Sequence, residues 1–195
     1  MSQIVSDLAK QNRNLAKIID SSPLCDLGRR KKTRSNFESL VYSVISQQLA
    51  TAAADTIAKR FIEHVGQVTP RKVISAGPEL LRSAGLSNAK TKTILGLAES
   101  ATEINLEGID NLADDIIYEN LTKLWGIGPW TVDMFMMFQL GKLNIWPVGD
   151  LGVRRGWEKI HKLKTEITPD ELIKKGEKYQ PHRSVVAWYC WRAID

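Results

Sequence analysis

Two features of the stretch from Leu121 to Asp150 can do chemistry. The first is the turn Gly126-Ile127-Gly128, tight enough to expose backbone amides, with Pro129 opening a helix directly after it. Bare amides aimed outward at a helix N-terminus suit an anion such as a phosphate. The second is Asp150, which closes the run Val148-Gly149-Asp150 at the end of a loop. One fixed carboxylate can stabilise a cation that develops during a reaction, or orient an attacking water. The plainer reading makes the turn a tight helix–helix connection and Asp150 an N-cap for the helix after it. Capping and chemistry are compatible if one oxygen faces the amides and the other faces a substrate.

These groups need helices to hold them. Ile4, Val5, Leu8, Leu15, Ile18 and Ile19 recur at the spacing of one amphipathic helix, which Pro23 ends. Gly28 to Arg34 is a basic loop, either a solvated linker or a phosphate contact. Ser35 and Glu38 have the spacing of a capping box and start a helix whose apolar face runs from Phe37 to Phe61 and which Gly66 stops. That periodicity breaks at Gln47-Gln48-Leu49, so the helix is interrupted there or that end faces a partner. Thr69-Pro70 starts a helix ending near Gly77, and Pro78 starts another ending at Gly85. Ser87 to Ile104 reads as helical, with Ile94, Leu95, Leu97 and Ala98 buried. A short segment spans Asn111 to Ile117. Asn120 is placed to cap the first helix of the hairpin, and Thr131 to Leu140 gives the second, ended by Gly141. A helix over Asp150 to Ile160 follows, then one from Thr168-Pro169-Asp170-Glu171 to about Tyr179. Pro181 opens the last helix, with Val185, Trp188, Tyr189, Trp191 and Ile194 as its apolar positions. No segment alternates as a strand, so the fold reads as all-α.

Composition sets wider bounds. The chain has 195 residues and is 43% hydrophobic, enough for a real core. Its 27 Lys and Arg against 22 Asp and Glu give a net charge of +5, which permits a polyanion partner without demanding one. The two cysteines, Cys25 and Cys190, cannot supply the thiolates of an iron–sulfur cluster, and their number fits a reducing compartment. No apolar run reaches roughly 18 residues, and the first residues lack signal-peptide blocks, so no membrane partner or leader is expected.

Leu124-Trp125-Gly126-Ile127-Gly128-Pro129-Trp130-Thr131, followed by Val148-Gly149-Asp150 and preceded by Gln47-Gln48, resembles the helix-hairpin-helix (HhH-GPD) DNA glycosylases. Within that superfamily the chain is most similar to the 3-methyladenine DNA glycosylase II branch, which removes alkylated purines. The similarity runs from about Ser35 to Trp191. It implies an all-α fold of two helical lobes with a DNA-binding cleft between them. Residues 38–142 would form one lobe, with the hairpin at about 120–140. Residues 1–37 and 143–195 would form the other and carry the catalytic aspartate.

A base inside a duplex must be rotated out of the stack before an enzyme can reach it. The resemblance assigns parts to that operation. The amides at Gly126 and Gly128, with Thr131 nearby, would anchor a phosphate, and carbonyls near Trp125 and Ile127 would hold a monovalent cation. Leu49 would be the wedge that fills the vacated space, with Gln48 beside it in the minor groove. Trp130, Met134 and Phe37 would line the base pocket, Trp130 by stacking; Trp125, Trp188 and Tyr189 are weaker candidates. Met134 stands where many bacterial relatives carry an aromatic. Asp150 matches the family's aspartate, beneath a sugar that turns cationic as its base leaves. Arg183, in Pro181-His182-Arg183-Ser184, matches a family segment near that aspartate and is a candidate DNA contact. Of the histidines, His64 could touch the minor groove or simply lie at the surface.

Relatives that also cut the strand carry a lysine where this chain has Trp130, so water is the expected nucleophile and no AP-lyase activity is expected. The implied function is a monofunctional alkylpurine glycosylase in base excision repair. It would act as a monomer on double-stranded DNA containing a damaged base, with no required metal and no cofactor. It would work in the cytoplasm and nucleoid of a bacterium or the nucleus of a eukaryote. Two alternatives stay open: a glycosylase of the same fold for deaminated, oxidised or mismatched bases, or a non-catalytic hairpin module that only clamps DNA.

Overall fold

The computed structural model describes all residues from Met1 to Asp195 and contains helices and turns but no strand. No helix is long and apolar enough to cross a membrane. The chain divides into two compact units, one of Lys32–Phe135 and one of Met1–Lys31 with Met136–Asp195.

The central unit begins with α3 (Asn36–Ser46) and α4 (Thr51–Val65). α3 buries Phe37, Leu40, Val41, Val44 and Ile45, and α4 buries Ala54, Ala58 and Phe61. The break falls where the apolar rhythm stops, at Gln47 to Ala50. Gln48 there takes φ +56°, which no continuing helix allows. The capping box at Ser35 is only half made. Ser35 Oγ accepts from the Glu38 amide, while Glu107, from outside the helix, accepts from the Asn36 and Phe37 amides.

α5 (Pro70–Ser83) runs through both segments expected around Gly77, which kinks it at φ +71°. α6 spans Asn88–Ser100, shorter than the sequence reading, with Leu95 only half-buried. A 3-10 turn over Leu106–Asn111 leads to α7 (Asp114–Thr122) and α8 (Pro129–Met134). Asn120 therefore lies inside α7 and caps nothing. Ala113 is the N-cap without a side-chain bond, and Asp114 and Asp115 complement the N-terminal dipole instead.

The other unit opens with α1 (Ser2–Gln11) and α2 (Arg13–Ser21) rather than one helix. Asn12 adopts an extended conformation and its side chain accepts from the amides of Asn14 and Leu15, so it ends one helix and caps the next. After a π turn over Phe135–Gln139 come α9 (Leu151–His161), α10 (Pro169–Gly176) and α11 (Arg183–Ile194). Thr168 and Glu171 make the full reciprocal capping box expected for α10. α9 and α11 pack so closely that a Cβ on Gly156 would overlap the Cys190 carbonyl. Trp157 fills the space beside them, edge-on to Trp146 and Tyr179 and stacked on His161.

Candidate active site

Within the central unit, α7, the turn and α8 form the hairpin. Gly126 has φ +81°, and a Cβ there would collide with the Thr93 hydroxyl, so only glycine fits both conformation and space. Gly128 is the N-cap of α8 and no side chain caps the first turn. Ile127 is buried beneath the turn, which keeps the glycines at the surface. Thr131 is 3% exposed, and its Oγ1 accepts from Gln47 Nε2 at 3.1 Å. The Thr131 hydroxyl is thus turned toward the protein. Trp130 and Trp125 are 46% and 54% exposed, far more than a core tryptophan.

The α3–α4 break sits against this hairpin. Gln47 Nε2 also reaches the Gly126 carbonyl at 3.3 Å, so one side chain ties the break to both ends of the turn. Lys90 Nζ donates to the carbonyls of Ile45 at 2.8 Å and Gln47 at 2.7 Å, closing the open C-terminus of α3. Its partial burial holds its pKa below the usual lysine value. Gln48 and Leu49 are left exposed on this braced loop, Leu49 at 38%. The sequence marks Gln47 as part of the break but gives no sign of its hairpin contacts, and nothing in it singles out Lys90.

Asp150 belongs to the other unit, at the N-terminus of α9. Its Oδ1 accepts from the Val153 amide at 2.8 Å and from the indole N–H of Trp191 at 2.9 Å. Two donors on one oxygen fix the rotamer. The residue is half-buried. Trp191 lies against the ring of Phe138, centroids 5.7 Å apart, and a Cβ on Gly152 would meet the indole at 2.8 Å. Trp191, read in sequence only as an apolar helix position, is therefore a neighbour of the carboxylate.

The loop leading to Asp150 is pinned by the start of α11. Ser184 Oγ donates toward the Lys142 carbonyl at 2.8 Å and accepts from the Ile145 amide at 2.8 Å. Arg183 spends Nε and Nη2 on the side chain and carbonyl of Asn144, at 2.9 and 3.0 Å. Expected at DNA, the Arg183 guanidinium thus braces the loop.

The remaining expected residues differ widely in exposure. Phe37 is 1% exposed and packs as core of the central unit, where it cannot stack an extruded base. Trp188 and Tyr189 are at 8% and 0% and serve the other core. Met134 is half-buried at the end of α8. His64 stays at the surface with Ser83 Oγ at 3.4 Å. In the basic loop, Arg30 pairs with Asp26, Lys32 with Asp110, and Arg34 lies over Tyr42. No cluster of His, Cys, Asp or Glu has the geometry of a metal site, and both cysteines are free and buried.

Comparison with known proteins gives one consistent answer. The sequence model of the HhH-GPD superfamily of base excision DNA repair proteins matches residues 41–182. The chain is 32% identical to DNA-3-methyladenine glycosylase 1 of Schizosaccharomyces pombe over 84% of its own length and 75% of the relative's. Among solved structures, it resembles a DNA-3-methyladenine glycosidase from Bacillus halodurans (TM-score 0.86, 31% identity, 97% of this chain and 88% of that one). It also resembles the S. pombe 3-methyladenine DNA glycosylase in complex with abasic DNA (TM-score 0.85, 28% identity, 97% and 95%).

Proposed function

Because this chain belongs to the HhH-GPD superfamily of base excision DNA repair proteins, we propose that it is a monofunctional DNA glycosylase that hydrolyses the N-glycosidic bond of alkylated purines. The observation that carries the reading is the Asp150 carboxylate, oriented at the N-terminus of α9 by the Val153 amide and the Trp191 indole. Relatives over most of their length are named 3-methyladenine glycosylases, and one is solved with abasic DNA, the product of such a reaction.

In this mechanism the Gly126–Gly128 turn and the first turn of α8 hold a DNA phosphate; carbonyls near Trp125 and Ile127 would hold a monovalent cation, which would supply further positive charge for that phosphate. Leu49 enters the stack as the base leaves it, and Gln48 contacts the minor groove. Trp130, with Met134 at the pocket's edge, stacks the extruded base. An N3- or N7-alkylated purine carries positive charge and is already a good leaving group. As the C–N bond lengthens, its electrons go to the purine and the sugar becomes cationic. Asp150 stabilises that cation, orients the water that adds to C1′ and accepts the proton that water sheds. The products are free base and an abasic site in an intact strand, since Trp130 offers no amine for a Schiff base. The enzyme acts on double-stranded DNA, as a monomer, in the nucleoid or nucleus.

The test is base release from a panel of duplexes bearing methylated purines, hypoxanthine, uracil or 8-oxoguanine. The reading expects release of methylated purines without strand nicking. Nicking without alkali, or covalent trapping by borohydride, overturns the monofunctional assignment. Preferential release of another lesion overturns the substrate class.

A further inference from the structure

Beside the hairpin, and wholly within the central unit, lies an open groove of about 640 Å³ between α5, α6 and the end of α7. None of its residues enters the mechanism above through its side chain. Three observations make it more than a crevice. Trp125 lines it and is 54% exposed, with Lys92 Nζ 4.4 Å from its ring centroid. Arg82, Lys92 and Lys123 contribute three cations against the single carboxylate of Glu99, although Lys123 shares its charge with Glu119 at 2.7 Å. Finally, Thr91 lines the groove at 3% exposure, and its buried hydroxyl has no hydrogen-bond partner within the protein.

That hydroxyl is informative because its neighbour behaves differently. Thr93, on the same helix, donates to the Ala89 carbonyl one turn back, the usual resting place of a helical threonine. A buried hydroxyl left unmatched destabilises the protein and calls for an explanation, of which an absent ligand is one.

An aromatic face with surrounding cations and a buried hydroxyl is the chemistry that single-stranded nucleic acid selects: stacking for a base, charge for its phosphates, and a polar anchor. An acidic peptide would use the cations but gives no role to the exposed indole. We infer that this groove is a second nucleic-acid subsite, which takes unpaired nucleotides of a strand by stacking a base on Trp125 and placing phosphates near Arg82 and Lys92. Lys123 and Leu124 lead directly into the hairpin turn, so a strand in the groove runs on toward the phosphate anchor. The site goes beyond base excision and is read without turnover, so it can fail while the proposed glycosylase activity stands.

The experiment is fluorescence-anisotropy titration of a dye-labelled, 5′-phosphorylated oligothymidylate of about eight nucleotides into protein already saturated with a short abasic-site duplex. The inference expects a ternary complex. Lys92→Met and Arg82→Gln should weaken oligothymidylate binding at least about threefold, and Trp125→Ala about tenfold. Thr91→Val should weaken it too while leaving the thermal midpoint equal or higher, since it removes an unsatisfied buried group. Lys92→Met and Thr91→Val should leave base release from the short duplex unchanged. Simple displacement of the duplex by the oligothymidylate overturns the inference, since it means one shared site. So does unchanged strand affinity in Thr91→Val and Lys92→Met, or equal binding of inorganic phosphate alone.

Discussion

Replacing Trp191 by Phe removes a donor that orients Asp150 while keeping an aromatic ring against Phe138. A hydrogen bond to a charged group contributes about 1.5–3 kcal/mol, and the lower end applies because both partners are half-buried. Val153 still holds Oδ1 through its amide, so the carboxylate loses orientation rather than place. A loss of about 1.4 kcal/mol in the transition state is a tenfold slower chemical step. The assay is single-turnover release of a methylated purine with enzyme in excess, alongside duplex binding. Trp191→Phe should slow the chemical step about tenfold and leave affinity within about twofold. Gly152→Ala disturbs the same pair, because its new methyl meets the indole at 2.8 Å and Asp150 Oδ1 at 3.1 Å. It should slow release even though alanine favours a helix over glycine by about 0.5–1 kcal/mol. If both variants turn over at the wild-type rate, the indole has no positioning role.

Other perturbations read other parts of the structure. Gly126→Ala should weaken duplex binding at least about tenfold and lower the thermal midpoint, since φ +81° and the Thr93 hydroxyl both exclude a Cβ; wild-type binding would refute the tight turn. Lys90→Met should leave the C-terminus of α3 unsatisfied, lowering stability by about 1–3 kcal/mol in denaturant titration, and should slow base extrusion followed by a fluorescent base analogue. Gly156→Ala should destabilise by about 3 kcal/mol or more, because α9 and α11 must move apart. His161 is stacked on Trp157, bonded through Nδ1 to the Trp157 carbonyl and through Nε2 to Asn12, and burial holds its pKa below 6.5. The unfolded chain then binds the proton more readily than the folded one. This contribution is present above pH 6.5 and is lost as the pH falls below it, so the thermal midpoint should decline on acidification and decline less in His161→Phe.

The elements best read in the sequence are those with a local chemical signal. Thr69-Pro70 and Thr168 with Glu171 start helices where expected, because a cap is a contact between neighbours in sequence. Asn12 hid inside an apolar rhythm that continues across two helices, and only its extended backbone reveals the break. Asn120 has the residue type of a cap, but the acidic pair at Asp114 and Asp115 marks the actual start of the helix. Within the site, the glycines of the turn and the capping position of Asp150 follow from residue type. What surrounds them does not. Trp191 and Asp150 are 41 residues apart, and helical periodicity marks Trp191 only as apolar. Adjacent glutamines look alike in sequence, yet the positive φ of Gln48 turns Gln47 inward to the hairpin and leaves its neighbour exposed.

The measurement that bears most directly on the account is single-turnover base release by Asp150→Asn beside wild type, with binding to an abasic-site duplex followed in parallel. The amide keeps an oxygen for the Val153 and Trp191 donors, so the fold and duplex affinity should persist. Release of the methylated purine should fall by about a hundredfold to a thousandfold or more. A folded Asp150→Asn variant that excises at the wild-type rate would contradict the central claim that this carboxylate carries the chemistry.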